Sequence, residues 1–120
     1  MQRGHRDLLA WQEAMKLVEA VYALDLPKEE RFGLLGQMRR AAVSVPSNIA
    51  EGAAKGSTRE FYRSLNISRG SLAELDTQIE LAARIYQVDC TATRLQLERV
   101  AKLVSALTLS IRSKLNPPAT

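Results

Sequence analysis

Hydrophobic residues recur at alternating steps of three and four along most of the chain, which is the spacing of an amphipathic helix. The first run carries Leu8, Trp11, Met15, Val18 and Tyr22 on one stripe. The longest run has an unbroken heptad-like stripe from Phe61 to Tyr86. Four such runs are present, and they predict helices over about residues 7–24, 30–55, 58–86 and 92–115.

Helix-start and helix-stop residues separate these runs. Asp7 is the predicted N-cap of the first helix, and Pro27 follows its end. Gly56 and a capping box from Ser57 to Glu60 predict a tight joint between helices 2 and 3, and Asn116-Pro-Pro predicts the last stop. No alternating runs of the strand type are present. The expected fold is all-α: one domain, residues 1–120, folded as an antiparallel up-down-up-down four-helix bundle.

A row of polar residues runs beside the apolar stripe of helix 2. These residues stack at helical spacing and are mostly of types suited to partly buried hydrogen bonds: Gln37, Arg40, Ser44, Asn48 and Glu51. Helix 3 offers Glu74 and Gln78 as partners. We predict a polar seam that sets helix register or a subunit contact, with Arg40 paired to Glu74 or Glu51.

Pro46 lies in the middle of helix 2, where a proline removes a hydrogen bond and crowds the carbonyl of Ala42, at a cost of about 3 kcal/mol. The expected result is a kinked second helix that continues through Pro46. A break, with a second capping box from Asn48 to Glu51, is the alternative.

Helix 3 has a second apolar stripe, formed by Ile67, Leu81 and Ile85. One apolar arc is enough for a helix in a monomeric bundle, so a second arc predicts a homo-oligomer. The outward side of helix 2 carries small residues that permit close approach. A wide arc that merely grazes solvent is the simpler alternative.

The composition narrows the function classes. The chain has 120 residues with 46% hydrophobic and 25% charged residues, which is ordinary for a globular domain. One cysteine, Cys90, and one histidine, His5, provide neither a disulfide framework nor a zinc site. We expect no metal, no other cofactor and no catalytic site. With no signal peptide or membrane span in the sequence, a cytoplasmic protein without membrane contact is expected.

The net charge of +4 is concentrated near the C-terminus. Residues 91–120 contain five Lys or Arg and only one carboxylate, Glu98. The candidate nucleic-acid-binding residues are four cations of helix 4: Arg94, Arg99, Lys102 and Arg112. Since no aromatic residues alternate with them, contact with RNA or DNA phosphates is expected rather than base stacking. An ordinary solvated face fits the same pattern.

Several segments resemble the bacterial four-helix-bundle proteins encoded in intervening sequences of 23S rRNA genes. The likeness covers about residues 7–85, and its most specific part is the run Arg-Ala-x-x-Ser-x-Pro-x-Asn-Ile-Ala-Glu-Gly from Arg40 to Gly52. That family is similar in fold to the accessory proteins of diversity-generating retroelements. Those are pentameric rings that bind a reverse transcriptase and nucleic acid, so the resemblance implies a homopentamer.

These observations predict a non-enzymatic oligomeric scaffold that binds nucleic acid through a basic outer surface, with a possible protein partner beside it. The alternative is a protein-binding adaptor with no nucleic-acid role. A third and more remote alternative is an enzyme assembled at subunit junctions from Arg40, Glu51 and Glu74.

Overall fold

The computed structural model describes residues 4–116 and contains four α-helices. They are α1 (Leu9–Tyr22), α2 (Leu34–Ala54), α3 (Thr58–Tyr86) and α4 (Thr91–Leu115). Short 3-10 turns at Gly4–Asp7 and Lys28–Phe32 precede α1 and α2. Within residues 4–116 there is no strand. The predicted stop at Pro117 and Pro118 lies outside the described residues.

The helices form a bundle in which α1 touches α2 and α4, and α3 touches the same two helices. In the described residues no Cα atoms of α1 and α3 lie within 8 Å of each other, nor do those of α2 and α4, so these two pairs lie diagonally across the bundle. Along the α2–α3 contact, Ser44 meets Ser71, Val45 meets Ser68, and Gly52 approaches Ser64. The dimensions of 56 × 29 × 21 Å reflect long helices lying side by side.

The core is aliphatic, as the scarcity of aromatic residues predicts. Its largest fully buried side chains come from all four helices: Leu17, Val21, Met38, Val45, Ile49, Leu65, Leu75, Ile79, Val100 and Val104. The aromatic rings of Trp11, Phe61, Tyr62 and Tyr86 are only partly buried and pack around this cluster. The core therefore follows from the three-and-four periodicity of the sequence.

The predicted helix caps agree with the structure at the α2–α3 joint but not at the start of α1. Ser57 accepts a hydrogen bond from the N–H of Glu60 at 3.3 Å, and Gly56 adopts φ +71° after α2, as the predicted joint requires. Asp7 does not occupy the N-cap position, because it lies in the 3-10 turn; Leu8 occupies that position without a side-chain cap.

The second helix begins later than predicted, at Leu34 rather than near residue 30. The residues before it form the 3-10 turn, and Glu30 accepts the free N–H of Leu34 at 2.8 Å. The α-helix then continues through the buried Pro46 to Ala54, so the break at this proline is not observed. Ser68 of α3 donates its hydroxyl to the carbonyl of Val45 beside the proline, at 3.0 Å.

Candidate nucleic-acid interface

The four candidate cations of α4 differ in their surroundings. Arg94 lies 2.9 Å from a carboxylate oxygen of Glu80 on α3, and Arg99 lies 2.6 Å from Glu13 on α1. Both guanidinium groups are therefore partly neutralised by neighbouring helices. In the described part of the chain Lys102 and Arg112 are exposed and make no ion pair. The basic face of α4 consequently carries less free charge than its sequence indicates.

Glu13 is the partner that most changes the interpretation of α4. Its side chain is only 5% exposed, and Lys16 lies 2.9 Å away. Gln96 donates to both its carbonyl and its carboxylate, at 2.8 Å and 3.2 Å. The pKa of Glu13 lies below its ordinary value, mainly because Lys16 and then Gln96 hydrogen-bond to the carboxylate. Arg99 thus belongs to the contact between α1 and α4.

Glu80 ties the other paired arginine to the joint between α3 and α4. It accepts from Arg84 at 2.7 Å as well as from Arg94. These hydrogen bonds, that of Arg84 first, lower the pKa of Glu80. Lys102 lies farther along the same α3–α4 groove, in a cavity of about 480 Å³ whose charged lining includes Arg69, Asp76 and Glu98. Its positive charge is therefore balanced locally.

Free positive charge gathers instead where α2, α3 and α4 meet. A cavity of about 220 Å³ is lined by Gly56, Ser57 and Thr58 of the α2–α3 joint and by Ile111 and Lys114 of α4. Lys114 lines this cavity, and three further cations follow a lining residue by one or two positions in the chain. All four are exposed and make no ion pair in the described residues, and we call them the basic end: Arg59, Arg63, Arg112 and Lys114.

The carboxylates nearest to the basic end in sequence are already engaged. Lys55 lies 3.2 Å from Glu51 and 3.6 Å from Glu60. The opposite end of the bundle is different, because Tyr86 donates its hydroxyl to Glu30 and so joins two acidic connections. Those connections carry Asp25, Glu29, Glu30 and Asp89. The same α1–α2 connection also carries Lys28 and Arg31, so this end holds charges of both signs.

The predicted polar seam is partly assembled between α2 and α3. The hydroxyls of Ser44 and Ser71 are 2.8 Å apart, and the amide of Asn48 donates to the carbonyl and hydroxyl of Ser44 at 2.8 Å and 3.0 Å. Gln78 is buried, with an amide oxygen that has no hydrogen-bond partner in the described residues. These contacts link the two helices beside Pro46.

The remaining seam residues, Gln37, Arg40, Glu51 and Glu74, are exposed. Glu51 pairs with Lys55 rather than with Arg40. Within residues 4–116 no ion pair joins Arg40 to Glu74. In this single chain, the seam is therefore held by hydroxyl and amide groups.

Arg40 lies instead in a cavity of about 540 Å³ beside α1, which we call the arginine cavity. Its lining includes Tyr22, Arg31, Phe32, Gly36, Arg39 and Arg40. The guanidinium of Arg39 lies 4.5 Å from the centre of the Tyr22 ring, and that of Arg31 lies 5.5 Å from the Phe32 ring. The sequence pattern along helix 4 gives no sign of this group, because its aromatic rings and arginines come from α1, α2 and the turn between them.

His5 and Cys90 are the single histidine and the single cysteine of the chain, and both pack against neighbouring residues. The His5 ring packs edge-on against Trp11 with centroids 5.0 Å apart. Cys90 is buried just before α4, and burial raises the pKa of its thiol. Among the described residues, no group of three or more His, Cys, Asp or Glu is arranged to hold a metal ion. No stretch of the described helices combines the length and hydropathy of a membrane crossing.

Comparison of the sequence with known proteins indicates which family the chain belongs to. The sequence model of one family, described as 23S rRNA-intervening sequence protein, matches residues 6–108. The match begins before α1 and ends within α4, so it includes the motif from Arg40 to Gly52 and extends beyond the segments on which the resemblance rests. No curated protein sequence gives a significant match. From the extent of the family match and the four-helix bundle, we conclude that the chain belongs to the 23S rRNA-intervening sequence protein family.

Proposed function

We propose that this protein is a non-enzymatic helical scaffold that binds nucleic-acid phosphates through its basic end. The observation that carries this proposal is that the start of α3 and the end of α4 line one cavity, and that the exposed cations on these two segments, Arg59, Arg63, Arg112 and Lys114, have no paired carboxylate in the described residues. Arginine and lysine at such a surface attract phosphates and displace condensed counterions. Of the four candidate cations of α4, Arg112 belongs to this surface.

The basic end supports backbone contact more than base recognition. Its cations are exposed, and the partly buried Phe61 is the aromatic residue that lines the adjoining cavity. Phosphate contacts of this kind position a protein on nucleic acid without reading its sequence. We therefore expect duplex DNA and structured RNA to bind with similar affinity.

The scaffold is proposed to be an oligomer. The second stripe of α3 is exposed in the single chain, with Ile67 at 47%, Leu81 at 41% and Ile85 at 56%. Exposed apolar residues on one face favour a further packing partner. A homopentamer, as the resemblance implies, would bring five basic ends into one particle and strengthen binding through multivalency.

The finer points of the architecture are proposals of the same kind. We infer one domain over residues 1–120 with up-down-up-down helices, because consecutive helices are joined by short connections and are neighbours in space. We also infer a kink of α2 at Pro46, where Ser68 hydrogen-bonds the adjacent carbonyl. Function in the cytoplasm fits a nucleic-acid ligand.

Salt-dependent binding tests the proposed function. Fluorescence anisotropy with a labelled RNA hairpin and a duplex DNA, between about 50 and 200 mM salt, should show affinity that falls steeply. Four phosphate contacts predict a slope of about −3 to −4 in a plot of log K against log salt for one protomer on duplex DNA. Binding that is insensitive to salt, or absent under all these conditions, would contradict the proposal and favour the adaptor alternative.

Charge reversal locates the surface. Arg59→Glu should weaken binding to both nucleic acids and reduce the salt slope, and Arg59→Glu with Arg63→Glu should weaken it further. The matched control is Lys28→Glu at the opposite end, which is exposed and changes the net charge equally. Equal losses in Arg59→Glu and Lys28→Glu would show an effect of net charge alone. Arg94→Glu is unsuitable, because it would place a carboxylate beside Glu80.

A further inference from the structure

The arginine cavity holds positive charge without a matching anion. Arg31, Arg39 and Arg40 all line it, and none forms an ion pair within residues 4–116. Glu30, their nearest carboxylate in sequence, is already engaged by the N–H of Leu34 and the hydroxyl of Tyr86. An anionic ligand would therefore meet three guanidinium groups with unused donors.

The arginines are held in place by their neighbours. The guanidinium of Arg39 stacks on Tyr22, and its Nε atom is covered and has no hydrogen-bond partner in the described chain. Its terminal nitrogens are thus the donors that remain for a ligand. Gly36 lets the backbone of the preceding turn approach α2 beside Arg40, because a Cβ at this position would lie 2.7 Å from the carbonyl oxygen of Arg31 and 3.6 Å from Nη1 of Arg40.

The same cavity presents an aromatic ring to solvent. Phe32 is 87% exposed, which is the highest exposure among the large hydrophobic residues described. It ends the 3-10 turn of Lys28–Phe32, and the contacts of Glu30 with Leu34 and Tyr86 anchor that turn to α2 and α3. An exposed ring on an anchored turn is a stacking platform, because a planar ligand can cover it without displacing the protein core.

We propose that the arginine cavity binds one unpaired nucleotide of single-stranded RNA or DNA, with its base stacked on Phe32 and its phosphate at Arg39 and Arg40. Sites for single-stranded nucleic acid combine aromatic rings with basic side chains, because every base can stack on a ring and every phosphodiester carries a negative charge. The volume of about 540 Å³ lies within the range of roughly 300–1,000 Å³ that is typical of small-ligand sites. This inference rests on the proposed nucleic-acid role but uses a surface separate from the basic end.

The inference is tested by fluorescence anisotropy with labelled ten-residue oligo(U) and oligo(dT), using the full chain. Phe32→Ala should weaken binding of both oligonucleotides by about 5- to 150-fold, the range expected for loss of one stacked base. Arg40→Gln should also weaken oligonucleotide binding, and it should make the salt dependence shallower by the amount expected for the loss of about one phosphate contact. Binding of duplex DNA should be unchanged by Phe32→Ala, since paired bases cannot cover this ring.

The matched control is Leu95→Ala, which truncates an exposed apolar side chain on α4 and should leave oligonucleotide binding unchanged. A thermal melt of each variant checks folding, which the exposure of Phe32 should preserve. Unchanged oligonucleotide binding in Phe32→Ala would overturn the inference. So would a change of particle mass by light scattering, because Phe32 would then lie in a subunit contact.

A competition experiment tests whether the arginine cavity binds an acidic peptide instead of a nucleotide. Oligo-glutamate should not displace labelled oligo(U) at concentrations where unlabelled oligo(U) does. Equal displacement would show a site for an acidic peptide and overturn the inference.

The proposals for the basic end and for the arginine cavity can fail separately. Loss of duplex binding in Arg59→Glu with retained oligo(U) binding supports both surfaces. Duplex binding that is indifferent to Arg59 contradicts the basic end alone, and absence of oligo(U) binding contradicts the arginine cavity alone.

Discussion

Glu30 shows that the position of a charged residue in the sequence does not reveal whether its side chain is free to bind a ligand. Glu30 looks like an ordinary acidic residue near a helix start, yet its two oxygens bind the N–H of Leu34 and the hydroxyl of Tyr86. The hydrogen bond from Tyr86, and then that from Leu34, lower the pKa of Glu30. The carboxylate thereby joins the α1–α2 connection to the end of α3.

We expect Tyr86→Phe to destabilise the protein at neutral pH and much less in acid. A carboxyl whose folded pKa is lowered contributes stability above its unfolded pKa, about 4.3, and loses it as pH falls through the folded pKa. Without the Tyr86 hydroxyl the pKa of Glu30 should move back towards the ordinary value. The difference in unfolding free energy between wild type and Tyr86→Phe should therefore narrow from pH 7 to pH 3 in urea titrations.

Tyr62→Phe is the control for the loss of a tyrosine hydroxyl. Tyr62 is partly buried like Tyr86, but its hydroxyl has no hydrogen bond within residues 4–116. Its stability difference from wild type should be small at both pH values. A difference for Tyr86→Phe that stays constant between pH 7 and pH 3 would contradict the proposed coupling to Glu30.

At the scale of elements, the contact between α2 and α3 depends on small side chains. Ser68 donates to the carbonyl of Val45, Ser44 meets Ser71, and Gly52 lets the backbone of α2 approach Ser64. These residues lie around Pro46, which continues the helix at the expense of one backbone hydrogen bond. Helix periodicity predicts that both helices exist, whereas their close approach depends on which small residues face each other.

We expect Gly52→Ala to lower the free energy of unfolding by about 1–3 kcal/mol, because the added Cβ overpacks the contact. It would lie 2.5 Å from Cβ and 2.8 Å from Oγ of Ser64. Gly70→Ala is the matched control, since a Cβ at Gly70 of α3 has no neighbour within 4 Å. That change should raise stability by about 0.5–1 kcal/mol through helix propensity. Urea unfolding of both variants measures the two effects, and destabilisation of equal size would contradict the packing argument.

At the scale of the whole molecule, exposed charge and exposed apolar residues occupy several distinct surfaces. The basic end lies where α2, α3 and α4 meet, whereas the other end has the two acidic connections joined by Tyr86 and Glu30 beside the arginine cavity. Exposed apolar residues lie both on α3, at Leu81 and Ile85, and on α4, at Leu95 and Leu109. Only the α3 pair belongs to the stripe for which the sequence predicts a partner.

We expect Leu81→Lys with Ile85→Lys to reduce the particle mass measured by light scattering, because charged side chains would oppose apolar packing between subunits. Leu95→Lys with Leu109→Lys is the matched control, as both leucines are 63% exposed. The control should leave the mass unchanged. A monomeric wild type, or equal dissociation by both pairs, would contradict assembly through the α3 face.

The sequence alone determines the four helices, most of their ends to within a few residues, the aliphatic core and the family. These depend on local periodicity, on joint residues such as Gly56 and Ser57, and on the linear motif from Arg40 to Gly52. Such signals act between residues close in the chain, so they can be recognised without knowing how the helices are rotated.

Only the tertiary structure decides which charges remain free. Arg94 and Arg99 meet Glu80 and Glu13 of other helices, and Arg39 of α2 stacks on Tyr22 of α1. Each of these neighbours depends on the rotation and register of packed helices, which a pattern along one helix does not specify. For this reason the sequence indicates that a basic surface exists, whereas packing determines which cations can reach a ligand.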